Sequence, residues 1–399
     1  MSRARSVALV GLTPHPVEVE AIHGAPVGLE IVGMTEAASR ETRVRVRSAL
    51  AACGIIAGLN GTRVTLRSAA PLNGSQDLAV AVAVAECVGA IPEGSARRYV
   101  LLGALSLSGE LRAVRGVLLS LRDDVAAIVP GACSGEAALL GEYPLVGERV
   151  RDHHPHVAGH LRDVLADLRG EKGGTEAAGP PMPWGDPPPD VPLQGSLADK
   201  LAEVAALVRS GAAPRGVLLV GPPSSGKTML ARRLAGAALA PLTRPEAIEI
   251  AEVHSVAGML RERITRPFRA PHHTCSEAGL VGGGSPVRPG EVSLAHGGVL
   301  LLDEVTEFRR SVLESLGRVL RGGEALLRCV GSPARFPARP VVVAADCPCP
   351  CGRRGISGGR SLPCSCTAER IARHEARLAE CMALLGIAVR VDVPAWGQS

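Results

Sequence analysis

A chain of 399 residues, 46% hydrophobic but only 2% aromatic, is long enough for two or three domains with cores built from Val, Leu, Ala and Ile. No apolar run approaches the ~18 uncharged residues of a membrane helix. The start carries two arginines and then enters Val7–Gly11, too short for a signal segment, so a cytoplasmic protein without a membrane partner is expected. The net charge of +5 is mild and spread out, which neither requires nor excludes nucleic acid, and the eleven cysteines do not suggest a disulfide framework.

In chain order, Val7–Gly11, Val17–Ala21 and Gly28–Val32 read as strands. Ser39 to Cys53 has helical apolar spacing at Val44, Val46 and Leu50, with Arg43, Arg45 and Arg47 interleaved. Val64–Leu66 reads as a strand, Asp77–Val88 as a buried Ala/Val-rich helix, Tyr99–Leu102 as a strand and Gly109-Glu110 as a hairpin turn. Residues 1–169 therefore read as a self-contained α/β or α+β domain. Residues 170–192 are rich in Gly and Pro and read as a semi-extended linker. From 193 to 346, helices at Leu197–Val208 and Thr228–Ala237 alternate with all-apolar strands at Val217–Val220, Val299–Leu302 and Val341–Ala345. That alternation predicts an α/β fold with a parallel sheet covered on both faces. Residues 347–399 form a Cys-rich segment and a short C-terminus.

Gly221-Pro222-Pro223-Ser224-Ser225-Gly226-Lys227-Thr228 matches G-x-x-x-x-G-K-[ST], directly after a strand and before a helix. The glycines let the loop curl so that backbone N–H groups face phosphates; Lys227 would reach the β- and γ-phosphates of ATP, and Thr228 would ligate Mg²⁺. A Gly-rich turn matching by accident is the bland alternative, disfavoured by the strand and helix on either side. Downstream, Val299-Leu-Leu-Leu-Asp303-Glu304 ends a buried strand in two carboxylates, offering Asp303 to Mg²⁺ and Glu304 as the group that polarises the attacking water. Of 44 basic residues only Lys172, Lys200 and Lys227 are lysines, and one of these three stands where phosphate-loop chemistry requires it.

Cys349, Cys351, Cys364 and Cys366 form two C-x-C pairs twelve residues apart and could supply four thiolates to one structural Zn²⁺, with Cys347 as a spare ligand. A loop of free cysteines is the alternative. The cluster is assigned no catalysis.

Val32-Gly33-Met34, Arg266-Pro-Phe-Arg-Ala-Pro-His-His-Thr274, Gly282-Gly-Gly-Ser285, Pro289-Gly-Glu-Val-Ser-Leu-Ala-His296 and Leu302-Asp-Glu304 together resemble the ComM/YifB proteins, magnesium-chelatase-like AAA+ ATPases, from about residue 6 to about residue 378. The resemblance implies a Lon-protease-like N-terminal domain, an AAA+ module that assembles into hexameric rings as a homo- or hetero-oligomer, and ATP-driven DNA branch migration. The region equivalent to the Lon Ser–Lys dyad, Asn73–Asp77 and Arg115–Ser120, contains no lysine, so a non-proteolytic domain is expected. The chain departs from the family in three places. Cys347 replaces the Asn that senses the γ-phosphate; Ala379–Ala388 carries no arginine where a finger is expected; and the chain stops at Ser399, without the helical lid.

These departures imply a weak or partner-dependent ATPase, because an arginine finger alone contributes ~10³–10⁵ in rate. Two alternatives stand beside the DNA-remodelling reading. One is a regulatory subunit that uses ATP as a conformational ligand, and the other a chelatase-type motor acting on a metal-insertion partner. For the remaining candidates the plainer reading is preferred: Asp152–His156 and His160 as a loop leading into a helix, His272 and His273 as structural or ring-pore residues, Arg43, Arg45 and Arg47 as a solvated face. Cys53, Cys87, Cys133, Cys275, Cys329 and Cys381 read as small core residues.

Overall fold

The computed structural model describes residues 1–24, 28–121, 126–141, 155–171, 175–185, 196–210, 216–328, 333–354 and 363–394. They divide into two units: Met1–Pro183 with His254–Glu262 and Cys329–Pro333, and Trp184–Val253 with Arg263–Arg328 and Ala334–Ser399.

The first unit starts with a hairpin of β1 (Ser2–Val10) and β2 (Thr13–His23), in which Val10 pairs with Thr13. Only Gly11 and Leu12 connect the strands, and Gly11 takes the positive φ of 61° that so tight a turn demands. Along β1 burial alternates, with Ser2, Ala4, Ser6, Ala8 and Val10 inward and Arg3 and Arg5 outward. With β3 (Leu29–Val32), β4 (Thr62–Arg67), β5 (Val100–Leu101), β6 (Ala127–Pro130), β7 (His156–Ala158) and β8 (Glu176–Ala177), these strands form a mixed sheet in the order β8-β7-β6-β5-β1-β2-β4-β3.

Helix α1 (Glu36–Ala52) is capped by the Thr35 hydroxyl, and α2 (Asp77–Cys87) is buried from Asp77 to Glu86. The fully buried Val80, Val82 and Val84 each contribute about 1.5–3 kcal/mol, which outweighs the few tenths that a β-branched residue costs a helix. Asp77, equally buried, receives Arg45 Nε at 2.6 Å and Thr42 Oγ1 at 2.9 Å. Arg45 thus anchors a buried carboxylate, while Arg43 and Arg47 are exposed as a solvated face would be. Helix α3 (Ser134–Gly141) carries Glu136, whose Oε1 accepts from Leu118 N at 2.9 Å and from the Ser255 hydroxyl; burial pushes this carboxyl up.

His160 caps α4 (Leu161–Leu168), its Nδ1 accepting from Arg162 N, and His156 Nδ1 lies 3.0 Å from Thr175 Oγ1. Both histidines thus have structural partners; Asp152, His153 and His154 lie outside the described residues. Of the Gly/Pro-rich stretch read as a linker, residues 172–174 and 186–192 lie outside the described residues, and its middle carries structure. Glu176 and Ala177 pair with Val157 and His156 as an edge strand, and Met182 N donates to Gly135 O, so residues 175–183 belong to the first unit.

The second unit holds an all-parallel five-stranded sheet. Its strands in chain order are β9 (Gly216–Val220), β10 (Phe268–Arg269), β11 (Val299–Asp303), β12 (Val341–Asp346) and β13 (Val389–Asp392). In space the order is β10-β11-β12-β9-β13. This confirms the expected α/β class with a parallel core.

Helices α5 (Ser196–Arg209), α6 (Lys227–Ala238), α7 (Arg244–Ala257), α8 (Arg310–Gly322) and α9 (Ala368–Leu385) belong wholly or mainly to this unit. Val204 and Ala205 of α5 and Leu230 and Leu234 of α6 pack with Val217, Leu219, Leu301, Val343 and Val391. The central strands are apolar and almost wholly buried up to the carboxylates that end β11 and β12, as strands covered on both faces are. The sheet draws on residues beyond position 346, since its fifth strand lies past the Cys-rich segment and follows α9, a helix capped by Thr367 at its start and by Gly386, φ 72°, at its end. The Ala379–Ala388 stretch is therefore the last turns of α9 and the approach to β13.

Candidate functional site

The 221–228 loop leaves the C-terminal end of β9, the central-sheet strand flanked by β12 and β13, and runs into α6. Ligands of open α/β sheets bind outside the carboxyl ends of the strands, and this loop stands there. Its glycines are required sterically. A Cβ on Gly221 would fall 2.4 Å from Val393 O, and Gly226 holds φ 90° at the start of α6. Lys227 is 8% exposed, and its ammonium donates to Gly221 O and Pro222 O at 2.8 Å each, cross-bracing the loop. The Ser225 hydroxyl is buried without a protein partner, a polar atom left for a ligand to satisfy. Pro223 and Ser224 are exposed at the crest, Ser224 at φ 61°.

The strand order brings the second half of the motif to the same end. Thr228 Oγ1 donates to Asp303 Oδ2 at 3.0 Å across 75 residues of sequence. Asp303 Oδ1 accepts from Glu304 N at 3.1 Å, and Glu304 takes a left-handed conformation, φ 53°. Hard oxygen donors at this spacing suit Mg²⁺, which is bound through one or two protein oxygens and otherwise by water and phosphate. Glu304 Oε2 lies 3.1 Å from His273 Nδ1, and the His273 ring packs edge-on to Phe308 and against His272. Nothing local in the sequence connects His273 to Glu304.

Between the loop strand and the Asp303 strand runs β12, ending in Asp346. This carboxylate is 6% exposed and accepts from Thr306 N at 2.9 Å and Cys347 N at 2.7 Å. Cys347 itself is half-buried; burial pushes its thiol up, while the nearby Lys227 ammonium pulls the other way. His374 of α9 stands 2.9 Å from Cys347 O through Nε2, and Arg377 donates to Phe308 O at 2.7 Å. Helix α9 thus fixes both the end of β12 and the turn after β11, roles that the sequence reading of this segment missed.

Cys349, Cys351, Cys364 and Cys366 converge, their four sulfurs all within 4.8 Å of one another. The Cys349–Cys351, Cys351–Cys364 and Cys349–Cys364 separations are 3.4, 3.5 and 3.7 Å. A tetrahedral Zn²⁺ with Zn–S near 2.3 Å requires about 3.8 Å between sulfurs, so the donor set fits that ion. Backbone N–H groups of Arg353 and Ser365 donate to the Cys351 sulfur and pull its thiol down to about 6, whereas burial and the crowding sulfurs push Cys364 and Cys366 up, so without a cation the four are not thiolates together. Cys347 is not in this group. Of the other cysteines, Cys133 and Cys381 are buried, Cys53, Cys87 and Cys275 are only half-buried, and Cys329 lies outside the described residues.

The fold and the loop define a magnesium-chelatase-like P-loop protein. The family model described as magnesium chelatase, subunit ChlI, matches residues 195–398, and that described as subunit ChlI of Mg-chelatase matches residues 17–127. An uncharacterized protein of Mycobacterium tuberculosis is 40% identical over 368 residues, covering 88% of this chain and 70% of its own. Uncharacterized protein YifB of Escherichia coli is 34% identical over 387 residues, 94% of this chain and 72% of its own. Competence protein ComM of Haemophilus influenzae is 33% identical over 377 residues, 91% of this chain and 70% of its own. The chain belongs to the ComM/YifB family. Among the described residues no helix is long and apolar enough to cross a membrane.

Proposed function

We propose that the chain binds Mg²⁺-ATP between the 221–228 loop and the Asp303-Glu304 turn, and hydrolyses it weakly or with a partner's help within a ring that remodels branched DNA. The Thr228–Asp303 hydrogen bond carries this reading, because it joins the two halves of the motif at one sheet end. The loop amides and Lys227 hold the phosphates, Thr228 and Asp303 hold the metal, and Glu304 orients water. Bound Mg²⁺ neutralises charge on the phosphates. The DNA role follows the ComM relationship, the name of that relative being competence protein.

Cys347 favours a second reading. A thiol is a poor substitute for an amide donor at the γ-phosphate, which suits a subunit that uses ATP as a conformational ligand. Direct nucleotide titration separates the readings when combined with turnover measured with and without branched DNA, and a Lys227→Ala control. DNA-stimulated turnover lost in the control supports the motor. Tight binding without turnover supports the regulatory subunit, and no binding by the wild-type chain overturns both.

A further inference from the structure

The cysteine cluster does not stand apart from the nucleotide loop. Gly352, one residue past Cys351, is buried with φ 72°, and a Cβ placed on it would fall 2.9 Å from both Cγ and Cδ of Pro223. Its N–H donates to Cys349 O at 2.9 Å, so the tight turn carrying two of the four sulfurs is pressed against the crest of the phosphate loop. A second attachment lies at the root of that loop. Gly221 N donates to Asp346 O at 3.2 Å, and Asp346 is three residues before Cys349. The segment 346–352 therefore runs alongside the loop from root to crest, and the cysteines tie its far end.

We propose that this cluster is a Zn²⁺ site that props the phosphate loop, so that metal occupancy sets nucleotide affinity. The proposal deepens the nucleotide-binding reading above and rests on it. Four sulfurs at these separations can all be thiolates only around a cation, whose loss leaves the two C-x-C turns without that shared link. With the ion present, the Cys349–Gly352 turn is a fixed wall behind Pro223. Without it the wall is free to move, and the loop must be ordered at the expense of binding free energy. Glycine at 352 serves this contact twice, through its positive φ and through the absence of a side chain that would push Pro223 away.

The test uses the full chain. Elemental analysis should find one zinc per chain, removed by a high-affinity chelator or by the Cys351→Ser/Cys364→Ser double variant. Titration with a fluorescent ATP analogue should show about tenfold weaker binding by the metal-free chain, equivalent to about 1.4 kcal/mol. Gly352→Ala should retain its zinc and still bind nucleotide more weakly, which isolates the contact from the metal. Amide hydrogen exchange over residues 221–228, measured without nucleotide, should quicken when zinc is removed. A chain that takes up no Zn²⁺, or one whose 221–228 exchange is the same with and without zinc, overturns the proposal. If exchange responds to zinc but the zinc-loaded chain binds no ATP, the nucleotide reading fails while the structural coupling stands.

Discussion

The Nδ1 atom of His273 lies 3.1 Å from Oε2 of Glu304, and this contact joins the Arg266–Thr274 segment to the carboxylate proposed to orient water. Glu304 sits at a left-handed φ, its N–H bonded to Asp303 Oδ1 and its carbonyl to Glu307 N, and because these bonds hold the backbone and not the carboxylate, the side chain needs an external anchor. His273 supplies one and is itself held by the edge of Phe308. His273→Ala should lower turnover at saturating ATP, by up to about 100-fold if the carboxylate moves by an ångström. Nucleotide affinity should change little, and His273→Gln, which can still donate to Glu304, should recover part of the rate. Steady-state kinetics paired with binding titration checks this; a loss of affinity with kcat intact would assign His273 to binding instead.

Thr228 and Asp303 bind each other directly, so the proposed Mg²⁺ site has its hydroxyl and its carboxylate already side by side. Asp303→Ala should leave residual nucleotide affinity but remove its dependence on Mg²⁺. Titrations in Mg²⁺ and in EDTA, which should differ in the wild type, should converge in the variant.

Arg266 makes a structural prediction. Its side chain is almost fully buried and donates to Gly297 O and Ala240 O at 2.7 Å each, with Glu246 at 3.1 Å. Removing it deprives half-buried Gly297 O, exposed Ala240 O and the half-exposed Glu246 carboxylate of one shared charged donor. Arg266→Ala should cost about 1–3 kcal/mol in urea denaturation, the range for losing hydrogen bonds to a charged group, with little added by the half-exposed and screened Glu246, and Arg266→Lys should restore only part because an ammonium cannot span the same fork.

Glu136 predicts a pH effect. Burial raises its folded-state pKa above the unfolded value, so its contribution to stability is complete at low pH and is lost as pH rises through the folded value. Both hydrogen bonds go to Oε1, and a glutamine there can accept both. Glu136→Gln should therefore melt at a higher temperature than the wild type near pH 8, with the advantage shrinking toward pH 5. Equal advantage at both pH values would place the effect elsewhere.

The long apolar elements were legible in the sequence. Val217–Val220 and Val299–Leu302 announce themselves by unbroken hydrophobicity, the Asp77–Val88 helix by its run of Ala and Val, and the 221–228 loop by its spacing. What escaped were elements whose signal is short or mixed. Strand Val389–Asp392 is four residues long with Arg390 inside it, and Glu176–Ala177 is two residues in a Pro/Gly-rich stretch, stabilised by pairing rather than propensity. Helix Ala368–Leu385 buries only Leu378, Cys381 and Leu385, too few for its periodicity to stand out beside the cysteines. The His273–Glu304 and Gly352–Pro223 contacts are long-range products of strand order, which no local pattern encodes.

The placement of β13 beside β9 bears on how the protein is made. Val217–Val220 acquires its neighbours only from Val341–Asp346 and Val389–Asp392, and Val393 then closes onto Val220 O. During synthesis, the strand that launches the 221–228 loop thus waits through more than 160 residues for its last partner, an all-apolar edge exposed to other nascent chains. Slow translation or chaperone cover over that interval should govern how much of the protein reaches the completed five-stranded sheet, independently of how stable that finished sheet is.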